Sequence, residues 1–226
     1  LTARDIRLAP SGVRFCALEE GELVRVKTNL PGQFSVYNAL AAISCARLLG
    51  VSLADAAAAL ETAHGAKGRV EPVPTDGDYS IFIDYAVTPD AIENVLTTLR
   101  GIAPKRLVML FGAGGDRDRK KRPIMGKLSA DIADFVIVTS DNPRTEDPMS
   151  IIEEILPGVR AGKAPYKVIC DRPEAIRWAI DHHEPGDVIL LCGKGHEDYQ
   201  IIGHEKIHMD EREIVADYLA ERAKRT

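Results

Sequence analysis

This chain of 226 residues has no apolar run long enough to span a bilayer, and its start lacks the basic-then-apolar plan of a signal peptide. It also lacks an excess of one charge: the formal net charge is -5 with both signs interspersed, which gives no long-range attraction for nucleic acid or an anionic membrane. Four cysteines, at positions 16, 45, 170 and 192, show none of the paired spacing of a zinc site. They read as reduced and mostly buried, as in a cytoplasmic protein, and Cys45, on the apolar face of an expected helix, reads as core. No internal repeat or low-complexity tract is present. No segment satisfies a Walker phosphate loop, which needs two glycines at fixed spacing and then Lys with Ser or Thr; Gly193-Lys194-Gly195 has no following hydroxyl.

What is present is an ordinary globular composition, 45% hydrophobic and 28% charged, in a length that suits one large domain or two smaller ones. The chain opens on Leu1, and its first residues read as the interior of a longer protein. Val13 to Ala17 and Glu22 to Thr28 predict a β-hairpin. After Pro31-Gly32 the period changes to that of a helix ending near Leu49, and Ser52 with Asp55 predicts a capped second helix to about His64. From residue 67 apolar runs alternate with helical patterns, the pattern of βαβ units feeding one mainly parallel sheet. The expected strands are Ser80 to Asp84, Arg106 to Phe111, Asp134 to Thr139, Lys167 to Cys170 and Asp187 to Cys192. Helices are expected to open on a capping residue followed by proline at Thr88-Pro89, Asp147-Pro148 and Arg172-Pro173.

Ligands on open α/β sheets bind at the carboxyl ends of the strands, so unusual polar sequences belong there. Four such stretches follow expected strands: Asp84-Tyr85-Ala86, Gly112 to Asp118, Asp141-Asn142-Pro143-Arg144 and Gly193-Lys194-Gly195-His196-Glu197. In the third, Pro143 restricts its own backbone and that of Asn142, and Arg144 offers a planar fork suited to a carboxylate. Asp141 and Asn142 can accept from an ammonium group; taken alone, the four residues read equally as a turn. Gly112-Ala113-Gly114-Gly115 invites a dinucleotide reading, but the charged run from Asp116 to Arg122 is unlike the apolar helix start which that requires. Arg117 reads equally as a binding cation or as part of a solvated loop. Glu197 reads as an ammonium acceptor or as part of a flexible loop. His204-Glu205-Lys206-Ile207-His208 matches the zinc-protease pattern formally, yet Ile201-Ile202-Gly203 before it reads as strand and turn, so a surface hairpin is expected. His182 and His183 close a helix at its C-terminal end, where capping accounts for them.

Together these stretches resemble the Mur ligases of peptidoglycan synthesis, and within them the diaminopimelate-adding, MurE-type branch. The likeness rests on Gly32 to Asn38, Gly68-Arg69-Val70-Glu71, Asp84 to Pro89, Phe111 to Arg119, Asp141 to Pro148 and Gly193 to Gln200, in order along most of the chain. Asp-Asn-Pro-Arg is that family's signature for diaminopimelate over lysine. The resemblance implies an α/β fold in which residues 67–226 form the C-terminal Rossmann-like domain, a mainly parallel sheet with helices on both faces. Residues 1–66 would be the tail of the central ATPase domain. It implies a uridine-binding domain, Walker loop, catalytic residues, carbamylated lysine and Mg2+ ligands upstream of Leu1, with no metal site in this chain.

The implied reaction is ATP-dependent: the D-glutamyl carboxylate of UDP-N-acetylmuramoyl-dipeptide becomes an acyl phosphate, which the amine of meso-diaminopimelate attacks. Arg117, Asp141, Asn142, Pro143, Arg144, Gly193 and Glu197 would form the amino-acid pocket, with Arg117 and Arg144 on carboxylates and Glu197 on an ammonium. Asn38, Arg69 and Asp84 match ATP-facing positions. Two positions depart from the family: Ser35 replaces Asn, and Val87 replaces His, which removes any polar contact there. A cytoplasmic monomer, inactive without the phosphate-binding half, is the expectation. The rivals are a ligase recycling cell-wall tripeptide and a non-catalytic binding module on the same scaffold.

Overall fold

A computed structural model describes residues 1–224, and the chain divides into two compact units, Leu1–Ala66 and Lys67 onward. In the first, β1 (Thr2–Ala9), β2 (Gly12–Glu19) and β3 (Glu22–Thr28) form an antiparallel sheet, followed by α1 (Gln33–Leu48) and α2 (Leu53–Glu61). Val13, Phe15 and Ala17 alternate inward along β2 and pack with Val36, Ala39 and Ile43 of α1 and Leu53 of α2. The predicted hairpin is β2 and β3. The strand β1 was not expected, because this edge strand is almost wholly exposed and its register breaks between Arg4 and Arg7, leaving no alternation to read.

Ser52 caps α2 by accepting from the Asp55 amide at 3.0 Å, and its hydroxyl donates to the Asp55 carboxylate at 2.6 Å. The helix ends at Glu61, short of His64. The expectation for the cysteines is corrected: Cys45 is exposed, Cys16 and Cys170 are half-buried, and Cys192 alone is buried. Cys45 lies two residues past buried Ile43, which turns it to the opposite side of the helix.

The second unit contains β4 (Glu71–Val73), β5 (Tyr79–Asp84), α3 (Pro89–Arg100), β6 (Leu107–Phe111), α4 (Lys121–Ile132), β7 (Phe135–Val138) and α5 (Pro148–Ala161). Then come β8 (Tyr166–Val168), α6 (Arg172–Asp181), β9 (Asp187–Cys192), β10 (Tyr199–Ile202), β11 (Glu205–His208) and α7 (Glu211–Ala223). The main sheet runs β4-β5-β9-β6-β7-β8 and is parallel except for β4. Its four central strands, β5, β9, β6 and β7, are apolar on both sides, as a sheet covered on both faces requires. Phe82, Met109, Val138 and Leu190 pack against α3, α4 and α5, whereas Ile83, Leu110, Ile137 and Leu191 pack against α6 and α7. This is the α/β fold that the sequence predicts.

Thr88 and Asp147 cap α3 and α5, each followed by proline in the first turn. At α6 the cap is Asp171, which accepts from the Glu174 amide at 2.8 Å, and not Arg172. Arg172 has no acceptor atom for a helix N-terminus, and its side chain is fully buried elsewhere. The rings of His182 and His183 reach the carbonyls of Trp178 and Ile180 at 2.9 and 2.6 Å, satisfying the end of α6. His204 and His208 belong to the β10–β11 hairpin. Among the described residues no cluster of His, Cys, Asp or Glu is placed to hold a metal ion, and no helix is long and apolar enough to cross a membrane.

Candidate functional site

The chain visits β5, β6, β7 and β8 before returning to place β9 between β5 and β6. That reversal makes β5, β9, β6 and β7 neighbours, and their carboxyl ends deliver Tyr85, Gly193, Gly112 and Asp141 to one rim. There they surround a cavity of about 310 Å³ whose lining includes Arg117, Asp141, Asn142, Arg144, Gly193 and Glu197.

One wall is the segment after β6. The Gly115 amide donates to the Asn142 carbonyl at 2.9 Å, and Arg144 Nη1 donates to the Gly115 carbonyl at 2.8 Å. A Cβ on Gly115 would stand 1.8 Å from the Pro143 carbonyl, so the approach of these two backbones requires glycine. Behind this wall Arg122, 1% exposed, donates to Gly114, Glu146 and Glu154. Its hydrogen bonds to Glu146 pull that carboxyl down to about 2 from its ordinary value. Arg117 stands exposed at the rim.

The second wall is Asp141 to Arg144. Arg144 has a φ of 52°, uncommon for a side-chain-bearing residue, and is held there by its amide donating to Ile201 and its carbonyl accepting from Gly203. One guanidinium nitrogen is committed to Gly115, and the other donors have no partner among the described residues. Asp141 is 5% exposed; its Oδ1 accepts from the Asn142 amide, and its Oδ2 is buried without a partner.

The third wall is Gly193 to Glu197, with φ of 115° at Gly193 and 53° at Gly195. A Cβ on Gly193 would come 2.6 Å from Asp141 Oδ2, so glycine here keeps both walls close. Glu197 Oε2 accepts from Lys194 Nζ at 2.7 Å and from Asn142 Nδ2 at 2.9 Å. Burial pushes the Glu197 carboxyl up, but the bonds from Lys194 and Asn142 together outweigh it and hold the group below the usual carboxylate range.

Residues 68–195, more than half of the chain, match the family described as Mur ligase, glutamate ligase domain. The chain belongs to the Mur ligase family. It is 49% identical to the UDP-N-acetylmuramoyl-L-alanyl-D-glutamate--2,6-diaminopimelate ligase of Caldanaerobacter subterraneus subsp. tengcongensis, over 98% of this chain and 46% of that protein. The ligase of the same name from Trichormus variabilis is 48% identical over 97% of this chain and 45% of its own length. A solved structure of such a ligase superposes with a TM-score of 0.79 at 35% identity, covering 98% of this chain and 45% of that one. This Mur ligase chain thus spans somewhat under half the length of the relatives it matches.

Within the Mur ligase chain, Asn142 lines the cavity as expected but not with a free acceptor, and Pro143 is not among the lining residues. Pro143 lies buried against Gly115. Asn142 Oδ1 already accepts from Lys194 Nζ and the Ile201 amide, which fills its two lone pairs, so it offers no acceptor to a ligand ammonium. Asp84 ends β5. Its carboxylate is turned to backbone, accepting from the amides of Val70 and Ala86 at 2.9 Å, and burial raises its pKa. Arg69 is exposed, 5.8 Å from the Tyr85 ring, and Asn38 is exposed on α1 in the first unit. Sequence reasoning missed Lys194, Arg122 and Arg172 as buried cations. The one available signal was the pair of glycines flanking Lys194.

Proposed function

We propose that this chain is the amino-acid-binding part of a cytoplasmic Mur ligase that adds meso-diaminopimelate to UDP-N-acetylmuramoyl-L-alanyl-D-glutamate. The observation that carries the reading is one cavity lined by Arg144, with uncommitted donors, together with Asp141 and Glu197. Such a site suits a ligand with a carboxylate and an ammonium at the same end. Diaminopimelate has two such ends and lysine has one, so a guanidinium placed for the distal carboxylate discriminates between them. The relatives at 41–49% identity carry the matching name.

A free carboxylate is a poor electrophile. In the proposed reaction ATP converts the D-glutamyl carboxylate into an acyl phosphate, and attack by the amine of diaminopimelate gives an amide, phosphate and ADP. This chain's share is to bind and orient the amine donor, a contribution through proximity. Arg69 remains a candidate ATP contact, and Asp84 holds the segment that carries it by accepting from the Val70 amide.

Turnover with meso-diaminopimelate and with lysine, in the longer ligase containing this chain, tests the reading. Diaminopimelate is expected to be strongly preferred. Equal use of lysine would overturn it.

A further inference from the structure

The Lys194 ammonium is fully buried in the rim, and the reaction outlined above assigns it nothing. Burying a charge is costly unless it is paired, so its partners indicate its purpose. Lys194 Nζ donates to Asn142 Oδ1 and to Glu197 Oε2, each at 2.7 Å, and stands 5.3 Å from the centre of the Tyr199 ring. Asn142 belongs to the second wall of the cavity and Glu197 to the third. The ammonium is therefore the joint between them, and positive-φ glycines at 193 and 195 turn the chain sharply on either side of it.

The joint is directional. With Asn142 Oδ1 occupied by Lys194 and Ile201, the Asn142 amide can only present Nδ2 to Glu197, and it does so on the same oxygen that Lys194 holds. Glu197 Oε2 is consumed twice, while Oε1 accepts a long bond from the Tyr85 hydroxyl at 3.5 Å, and the Tyr199 hydroxyl also bonds this carboxylate. We propose that Lys194 is a positioning residue for amino-acid specificity, locking Asn142 and Glu197 so that Glu197 Oε1 is the acceptor aimed at the incoming ammonium. This inference rests on the amino-acid pocket proposed above. It predicts that loss of Lys194 costs recognition of the amino acid and not handling of the other two substrates.

The test is steady-state kinetics in the longer ligase with Lys194→Met, Glu197→Gln and the double variant, each checked for folding by thermal melting. Lys194→Met is expected to raise KM for diaminopimelate at least tenfold while KM for ATP and for the nucleotide substrate stay within about twofold. Because Lys194 acts through Glu197, the double variant is expected to be little worse than Glu197→Gln alone. An unchanged KM for diaminopimelate, a parallel rise in all three KM values, or independent effects of the two substitutions would overturn the proposal. Should Lys194→Met fail to fold, Lys194→Gln, which keeps a donor for one partner, is judged by the same criteria. The wild type separates the two readings. If it adds another amino acid, the substrate assignment fails, and the Lys194 test is read from the KM for that amino acid.

Discussion

Arg172 and Glu211 form an ion pair from which solvent is excluded, with Arg172 Nε donating to Glu211 Oε1 at 2.9 Å and both side chains 0% exposed. The same guanidinium donates to the carbonyls of Ser140 and Cys192, the residues just before Asp141 and Gly193. One side chain from α6 thus ties together the ends of β7 and β9 and the start of α7.

Arg172→Met is expected to leave Glu211 as an uncompensated buried charge and to destabilise the chain by about 3–5 kcal/mol. Urea denaturation measures this directly. A change below about 1 kcal/mol would show that the pair contributes little. Arg172→Met combined with Glu211→Leu should recover part of the loss, because no charge is then stranded.

Gly115→Ala should also be costly, since its Cβ meets the Pro143 carbonyl and backbone cannot swing aside as a side-chain tip can. The expected loss is roughly 1–3 kcal/mol, as for overpacking, with weaker diaminopimelate binding because two cavity walls are forced apart. Gly101→Ala is the control: its added methyl makes only ordinary contacts at 3.4 Å and beyond, so melting should barely move.

Arg144→Ala removes the fork proposed for the distal carboxylate. Turnover of diaminopimelate is expected to fall by about 2–4 kcal/mol in kcat/KM, the range for truncating one partner of a buried hydrogen-bonded charge pair. Unchanged turnover would remove Arg144 from the specificity argument.

Acid should weaken this fold partly through Glu146. Its carboxyl sits at about 2 when folded, held by Arg122, against 4.5 ordinarily, so the unfolded chain binds a proton that the folded chain refuses. Stability from this pair is complete above the ordinary value and is lost as pH falls through that interval. Glu71 and Asp210 slope the same way and Asp84 the opposite way, so the readout is the difference between wild type and Glu146→Gln. Denaturation midpoints that keep the same separation from pH 5 to pH 2 would contradict it.

The strands and caps of the sheet were legible because they rest on local rules. Leu107 to Phe111 and Val188 to Cys192 are unbroken apolar runs, and Thr88-Pro89 and Asp147-Pro148 carry an acceptor and a preset φ. The short edge strand Glu71–Val73 was not legible, since Pro72 counts against a strand unless the position lies at an edge. Within the site, the clustering of four polar strand ends could be read, because one rim follows from one sheet. The inward turn of Lys194, Arg122 and Arg172 could not. A cation in a polar stretch reads as solvated until its partners are known, and Arg122 finds Glu146 and Glu154, and Arg172 finds Glu211, only after folding. Cys45 failed in the reverse sense: an apolar neighbourhood in sequence did not place it on the inner face of α1.

The central position of β9 also bears on the order of events during synthesis. β5 and β6 have no hydrogen bonds to each other and meet only through β9, which leaves the ribosome after all five other strands of the sheet. Until residue 192 emerges, β5 and β6 each present an open edge of the kind that invites wrong partners. The late strand closes both edges at once and brings Gly193 to Glu197 with it. The strand that finishes the sheet is therefore also the one that delivers the third wall of the ligand cavity, and a chain stopped short of it would lack both.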